Sequence, residues 1–179
     1  MKGFLNTFKA FDLVIIGMMA ALGIAVKPII VPLVHLITGP LFIPGGALAG
    51  GFYMMWIVLG AAIVNKRGAA TLIGVVQAII VIATGVYGTH GMVSLITYSL
   101  PGLTVDVILW ITRLEPKAKI AMFIGGISAN MCGVILTNLV FFRLPLVPLL
   151  FSMSAGALSG ALGGLLAWLV ASRFSKLNI

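Results

Sequence analysis

The sequence predicts an all-α integral membrane protein: six transmembrane helices in one bundle, with both termini in the cytoplasm. The chain has 179 residues, of which 61% are hydrophobic and only 8% are charged, whereas a soluble domain has about 25% charged residues. Its apolar runs have roughly the 20 residues that cross a bilayer as a helix, and short loops with Lys and Arg separate them. We therefore expect one membrane domain, residues 1–179, without a soluble part.

The basic residues indicate how the helices are oriented. The net charge of +8 lies in short loops and tails rather than on one face, which argues against nucleic-acid binding. With six spans, nine of the eleven cations share the side of the two termini: Lys2, Lys9, Lys66, Arg67, Arg113, Lys117, Lys119, Arg173 and Lys176. Because cytoplasmic loops carry the excess of Lys and Arg, that side is predicted to be the cytoplasm. Five or seven spans would scatter these cations.

The first span is predicted at 11–26, and we expect it to be retained because no clean signal-peptide cleavage site follows it. Pro28 disfavours helical structure at Lys27, and Pro32 adds a second break. We therefore expect a broken segment between helices 1 and 2 on the outer side, with 28–44 re-entrant or looped. Irregular backbone at this depth must be covered by protein or face a water-filled cavity, so this segment is the first indication of a site.

Five further spans follow, at residues 41–64, 69–86, 92–112, 120–141 and 147–171. The polar hinge 65–68 (NKRG) between the second and third spans is too short to hold a domain, so these two helices are predicted to be antiparallel neighbours. Pro101 and Gly102 lie in the middle of the fourth span, which predicts a kink there.

Two spans carry small residues at four-residue spacing: Gly17, Ala21 and Ala25 in span one, and Gly156, Gly160 and Gly164 in span six. Lipid gives helices no hydrophobic drive to associate, so close approach through small residues stabilises their contacts. The stripes are explained either by packing inside the bundle or by docking to another membrane subunit.

The outer half of the chain contains residues that suit a ligand pocket. Lys27 and Arg143 oppose the positive-inside trend, which is explained by an anionic or electron-rich ligand or by extension to lipid headgroups. His35 and His90 are too far apart to form a recognisable metal motif, and no further ligands lie near them. We therefore expect neither a metal site nor a cofactor.

Amide and aromatic side chains at compatible depth add to this pocket: Gln77, Asn130 and Asn138, with Tyr53, Trp56 and Tyr98. Amides and flat rings together suit a planar heterocycle that forms hydrogen bonds. The alternatives are hydrogen bonds between helices for the amides and packing or an interfacial belt for the aromatic residues.

Asp106 is the one acid well inside a span, and an ionisable residue there is a functional candidate. It is either a structural partner for a basic loop or a helix end, or a proton or cation carrier. Asp12, at the start of span one, is predicted to cap the helix. No nucleophile has a base at a credible spacing, and no phosphate-binding loop is present. We therefore expect no enzyme, and any ATP hydrolysis must come from another chain.

The chain resembles the substrate-binding S components of energy-coupling-factor (ECF) vitamin transporters. The resemblance covers nearly the whole chain and is carried by MMAALGIAVKP, by GGALAGGFYMMWIVLGAAIVNKRGAATLIGVVQAII and by LPGLTVDVILW. The middle motif is similar to that of the hydroxymethylpyrimidine/thiamine-type branch. The resemblance implies a docking motif at Ala21 and Ala25, with Gly17 one turn earlier, and a capping loop at about 31–44.

The resemblance also implies a function. Such a subunit binds a vitamin or vitamin precursor outside the cell of a prokaryote and docks in the plasma membrane on a coupling subunit with two ATP-binding subunits. A cationic thiamine would favour acids near the outer pocket, and this chain has none there, so a neutral pyrimidine or another planar vitamin fits better. The alternative is a secondary transporter or channel that works alone, proton-coupled through Asp106.

Overall fold

The computed structural model describes residues 7–41, 43–85 and 91–176, and within these ranges the chain is helical and has no β-strand. The α-helices are, in chain order, α1 (Ala10–Thr38), α2 (Gly45–Val64), α3 (Ala69–Thr84), α4 (Ser94–Thr112), α5 (Lys119–Thr137) and α6 (Leu146–Lys176). A 3-10 turn, Gly39–Leu41, follows α1, and a π-helical segment, Asn138–Phe142, follows α5. The prediction of an all-α protein is confirmed for these residues.

Five of these helices are long and apolar enough to cross a membrane, namely α1, α2, α4, α5 and α6. The remaining helix, α3, is apolar but has only 16 residues. It is therefore about 24 Å long at 1.5 Å per residue, shorter than a hydrocarbon core of about 30 Å. The structure supports a protein that crosses the membrane several times. The number of six spans and the cytoplasmic location of the termini stay predictions.

The first helix is continuous where the sequence predicts a break. It runs through both Pro28 and Pro32 to Thr38, so the expectation of a broken or re-entrant segment over 28–44 was wrong for most of that length. Each proline removes one N–H donor. An unwound segment in lipid would leave more backbone groups without partners, each at a cost of several kcal/mol. The helix therefore continues, and only the short stretch after Thr38 connects it to α2.

The second helix lies at the centre of the bundle. Most of its residues are buried, and it packs against α1, α5 and α6. Gly51 brings its backbone close to α6, where a Cβ would collide with the backbone of Ser159. The Gly51 N–H donates a hydrogen bond to Ser159 Oγ at 2.9 Å. Small residues and close backbone contacts therefore hold this helix pair together, as expected in lipid.

Polar contacts connect the hinge 65–68 and the start of α1 at one end of the bundle. Lys66, in the hinge between α2 and α3, forms an ion pair of 2.5 Å with Asp12 in α1. Asp12 also accepts a hydrogen bond from the Lys9 N–H at 2.7 Å, which confirms its predicted role as a helix cap. Lys119 Nζ lies 5.0 Å from the ring centroid of Trp168 in α6. We call this region, with the start of α1, the hinge 65–68 and the start of α5, the basic end.

Candidate ligand-binding site

A cavity of about 440 Å³ lies between the helices at the end of the bundle opposite the basic end. All six helices contribute to its wall, and its volume lies within the range of about 300–1,000 Å³ that is typical of small-molecule sites. Six of the nine side chains predicted to bind a ligand line this cavity: Lys27, His35, Tyr53, Gln77, Tyr98 and Asn138. Residues from four helices and from the π-helical segment thus meet at one place, although they are scattered along the sequence.

Lys27 lies against two tyrosine rings where α1, α2 and α4 meet. Its Nζ is 4.2 Å from the ring centroid of Tyr98 and 5.4 Å from that of Tyr53, within the distance of about 6 Å that allows a cation–π interaction. It also donates a hydrogen bond of 2.5 Å to Tyr98 Oη. Tyr53 Oη in turn donates to the Gly46 carbonyl at 2.9 Å. The ammonium group is therefore held at the cavity wall rather than extended toward lipid headgroups.

The three acidic residues of the chain all lie away from the cavity. Asp12 is paired at the basic end, Asp106 binds the start of α3, and Glu115 lies in the loop between α4 and α5. None of them lines the cavity. No acidic side chain of this protein therefore faces Lys27.

Asp106 serves the start of α3. Its carboxylate accepts hydrogen bonds from the Gly68 N–H at 3.1 Å, the Thr71 N–H at 2.7 Å and the Thr71 hydroxyl at 2.6 Å. An acid at a helix N-terminus satisfies free N–H groups and interacts favourably with the helix dipole. This geometry matches the structural alternative for Asp106, a partner for a helix end.

The end of α1 and the start of α2 meet at the cavity wall. The Gly45 N–H donates a hydrogen bond to His35 Nδ1 at 3.3 Å. Gly45 leaves room for this contact, because a Cβ at that position would lie 2.7 Å from His35 Cβ. Since Nδ1 accepts a hydrogen bond, a neutral imidazole here carries its proton on Nε2. This hydrogen bond therefore connects the last turn of α1 to the first residue of α2 at the cavity wall.

Gln77 contributes an amide to the wall from α3. Its side chain is only 4% exposed and reaches α1 at Gly23, where a Cβ would overlap the Gln77 Nε2 atom. A glycine at position 23 therefore makes room for the amide between α1 and α3. Thr97, in the neighbouring helix α4, also lines the cavity.

The opposite wall comes from the end of α5 and the start of α6. Asn138 lies in the π-helical segment, and its Oδ1 accepts a hydrogen bond from the Leu144 N–H at 2.8 Å, so it fixes the turn between these helices. Ser152 in α6 is fully buried, and its Oγ has no hydrogen-bond partner among the residues that the structure describes. Ser152 and Thr97 could not be predicted as ligand contacts from the sequence, because a single hydroxyl in an apolar helix gives no motif or periodic signal.

Two of the other three predicted binding residues, Asn130 and Trp56, lie elsewhere. Asn130 is buried, and its Nδ2 donates to the carbonyls of Ala47 and Gly156 at 2.9 Å and 2.8 Å, so it connects α5 to α2 and α6. Trp56 packs against the hydrophobic core. Neither residue lines the cavity. His90 lies outside the described residues.

The two stripes of small residues differ in what covers them. On α6, Gly160 and Gly164 lie against the backbone of α5, and Gly156 lies against Val134, which matches the alternative of packing inside the bundle. On α1, Ala21 and Ala25 are exposed, and a Cβ at Gly17 would meet open space. Only the stripe on α1 is thus accessible to another protein.

The described residues contain no group of three or more His, Cys, Asp or Glu side chains that could hold a metal ion. At the cavity they supply one imidazole, from His35, and no carboxylate or thiolate. This donor set differs from the clusters of imidazole, thiolate or carboxylate groups that bind divalent transition metals.

Residues 11–132 match the family described as "ABC-type cobalt transport system, permease component". No curated protein sequence gives a significant match. Among solved structures, a crystal structure of an S-component of an ECF transporter superposes on the chain with a TM-score of 0.75 and 19% sequence identity, covering 96% of this chain and 88% of that one. At this identity the likeness establishes the fold, which is the fold that the resemblance implied.

Proposed function

Because the chain belongs to the family described as the permease component of ABC-type cobalt transport systems, we propose that it is the substrate-binding subunit of an ECF-type importer. It is a multi-pass protein of the prokaryotic plasma membrane. In this role it captures a vitamin or vitamin precursor outside the cell and delivers it through a partner coupling subunit. Two separate ATP-binding subunits hydrolyse ATP, so the chain itself is not an enzyme.

The observation that carries this proposal is the cavity opposite the basic end. It has the volume of a small-molecule site, and polar side chains from α1, α3, α4 and α5 converge on its apolar wall, as in typical ligand pockets. If the basic end is cytoplasmic, as its cations favour, the cavity faces the outside. That orientation suits a subunit that captures its substrate from the medium.

The chemistry of the wall favours an organic molecule over a cobalt ion. Lys27 places a positive charge at the cavity, where it repels a divalent cation, and the described lining residues offer a single imidazole to a metal. The faces of Tyr53 and Tyr98 suit a planar ring, and the Gln77 amide suits its hydrogen-bonding edge. A planar heterocycle such as a pyrimidine is therefore the first class of substrate to test. The absence of acids at the cavity disfavours cationic thiamine.

The exposed stripe on α1 supports the docking part of the proposal. Ala21 and Ala25 are exposed, and Gly17 faces open space, so a helix of another membrane protein can approach the α1 backbone closely. We infer that this stripe, and not the covered stripe on α6, docks on the coupling subunit.

The experiment that tests the function is mass spectrometry of small molecules released from gently purified protein, followed by thermal-shift measurements with a vitamin panel and with Co²⁺. We expect one planar heterocycle to co-purify and to raise the Tm. Replacing Tyr98 in the cavity wall by Leu should abolish that shift. Replacing Trp110, which is 64% exposed on α4, by Leu should leave it unchanged. Release of lipid alone, with no shift from any vitamin, would count against the proposal, and a shift with Co²⁺ alone would favour metal transport.

A further inference from the structure

We propose that the substrate carries an anionic group, a carboxylate or a phosphate, which binds at the ammonium group of Lys27. This inference rests on the proposed function, because it assigns a charge to the molecule that the cavity takes. It gives one residue of the cavity wall, Lys27, a stated role in binding.

The ammonium group of Lys27 lies far along α1 from the basic end. Lys27 is 17 residues beyond Ala10, the first residue of α1, or about 26 Å along the helix at 1.5 Å per residue. It is partly buried and lines the cavity. An ionisable residue inside an apolar helix that could span the membrane is a functional candidate by default.

No acidic side chain lies beside the ammonium group of Lys27. The partners of the Lys27 ammonium group are the hydroxyl of Tyr98 and the ring faces of Tyr98 and Tyr53, all of them neutral. The three acids of the chain are Asp12, Asp106 and Glu115, and none of them lines the cavity. A phenol and two rings compensate a charge only in part, whereas a buried ion normally has an opposite charge beside it.

A ligand that enters the cavity changes the solvation of the Lys27 ammonium group. An ammonium group at the wall of a cavity can be solvated by water that enters the cavity. A ligand that fills 440 Å³ displaces this water, and a neutral ligand would leave the charge of Lys27 without solvation or a partner. A carboxylate or phosphate replaces the lost solvation with a charge-assisted hydrogen bond. The cavity therefore favours an anionic ligand over a neutral one of the same shape.

The surrounding charges have the same sign. Arg143 is exposed in the turn between Phe142 and Leu144, both of which line the cavity. Because no acid lines the cavity, the field there attracts anions.

The test uses the full-length protein in detergent, exposed to a small-molecule extract of bacterial cells, washed, and analysed by mass spectrometry in both ion modes. The variants Lys27→Arg, which keeps the charge, and Lys27→Met, which removes it at similar length, are treated identically. We expect an acidic planar compound on the wild type and on Lys27→Arg, and about tenfold less on Lys27→Met, the ratio that one charge-assisted hydrogen bond supplies.

A neutral or cationic compound retained equally by all three proteins would overturn the inference and leave the proposed function standing. No compound on any of them would overturn both. Equal retention of an acidic compound by Lys27→Met and wild type would also overturn the role of Lys27.

A second measurement needs no variant and distinguishes a carboxylate from a phosphate on the ligand. The binding of matched pyrimidine pairs to the wild-type protein is measured by calorimetry: orotate against uracil for a carboxylate, and hydroxymethylpyrimidine phosphate against hydroxymethylpyrimidine for a phosphate. We expect the acidic member of at least one pair to bind about tenfold more tightly than its neutral partner. Tighter binding of the neutral member in both pairs would contradict the inference even if Lys27→Met does not fold.

Discussion

The carboxylate of Asp106 in α4 accepts two hydrogen bonds from Thr71 in the first turn of α3, one from its N–H at 2.7 Å and one from its hydroxyl at 2.6 Å. A third comes from the N–H of Gly68, the residue just before α3, at 3.1 Å. One acid on a neighbouring helix therefore satisfies donors that a helix N-terminus leaves free. Gly68 itself has a φ of 86°, a left-handed conformation that favours glycine.

Replacing Asp106 by Asn should lower the stability of the protein by about 1–2 kcal/mol, because the amide keeps an acceptor oxygen but loses the charge that favours the helix N-terminus. The measurement is the Tm of the purified variant together with its affinity for the substrate, and we expect the affinity to be unchanged. Thr71→Val is the control, because it removes the hydrogen bond from the Thr71 hydroxyl in α3 to the Asp106 carboxylate. If Asp106→Asn abolished uptake without changing Tm or binding, a proton-coupled carrier would be favoured instead.

The two stripes of small residues should respond to bulk in opposite ways. Ala21→Leu adds volume on the exposed face of α1 and should leave the free energy of unfolding within about 0.5 kcal/mol of the wild type, as is usual for surface changes. It should abolish co-purification with the coupling subunit. Gly160→Leu adds volume where α6 lies against Gly126 in α5, and we expect a loss of stability of about 1–3 kcal/mol or more from overpacking.

Pull-down with a tagged coupling module and thermal unfolding of the isolated subunit distinguish the two effects. A variant Ala21→Leu that unfolds early, or that still assembles fully, would contradict the docking role of α1.

The helix pattern could be predicted from the sequence because apolar length and loop charge act locally along the chain. The six predicted spans correspond to the six described helices to within a few residues at most ends. The continuity of α1 through Pro28 and Pro32 could not be predicted. The cost of two missing N–H donors is local, whereas the cost of unwinding a helix in lipid depends on the whole environment. Propensities for soluble helices therefore overstated the effect of proline.

The cavity could be predicted in part. Six of the positions that were predicted from residue type and depth line the cavity, since polar side chains in an apolar helix tend to face protein or water. The same criteria selected Asn130, whose amide instead joins three helices. Depth alone cannot distinguish these cases, because the azimuth of an amide around its helix axis is fixed only when the bundle packs.

Asn130 should therefore matter for stability. Replacing it by Leu removes donors to the carbonyls of Ala47 and Gly156 and adds branched bulk beside Gly50, where even a Cβ would overlap the Asn130 amide. We expect a loss of about 1–3 kcal/mol, measured as a lower Tm without ligand. At a temperature where the variant is folded, substrate affinity should stay within about threefold of the wild type, roughly 0.6 kcal/mol. A large affinity loss with an unchanged Tm would place Asn130 in the binding site.

Two buried serines of α6, Ser159 and Ser152, differ in the hydrogen bonds of their hydroxyl groups. Ser159 Oγ accepts a hydrogen bond from the Gly51 N–H at 2.9 Å and donates to the Leu48 carbonyl, whereas Ser152 Oγ is buried without a partner among the described residues. Ser159→Ala should therefore lower the stability by about 0.6 kcal/mol, the average for hydrogen bonds between membrane helices.

Ser152→Ala should leave the ligand-free Tm unchanged or raise it, because a buried hydroxyl without a hydrogen bond costs free energy. Since Ser152 lines the cavity, we expect the substrate to supply the missing partner. The variant should then bind the substrate about fivefold more weakly, the effect of losing a hydrogen bond of roughly 1 kcal/mol. Thermal unfolding with and without the co-purified ligand measures both effects. If Ser152→Ala lowered the ligand-free Tm as much as Ser159→Ala and left the ligand-induced shift intact, its hydroxyl would be part of the packing and not of the binding site.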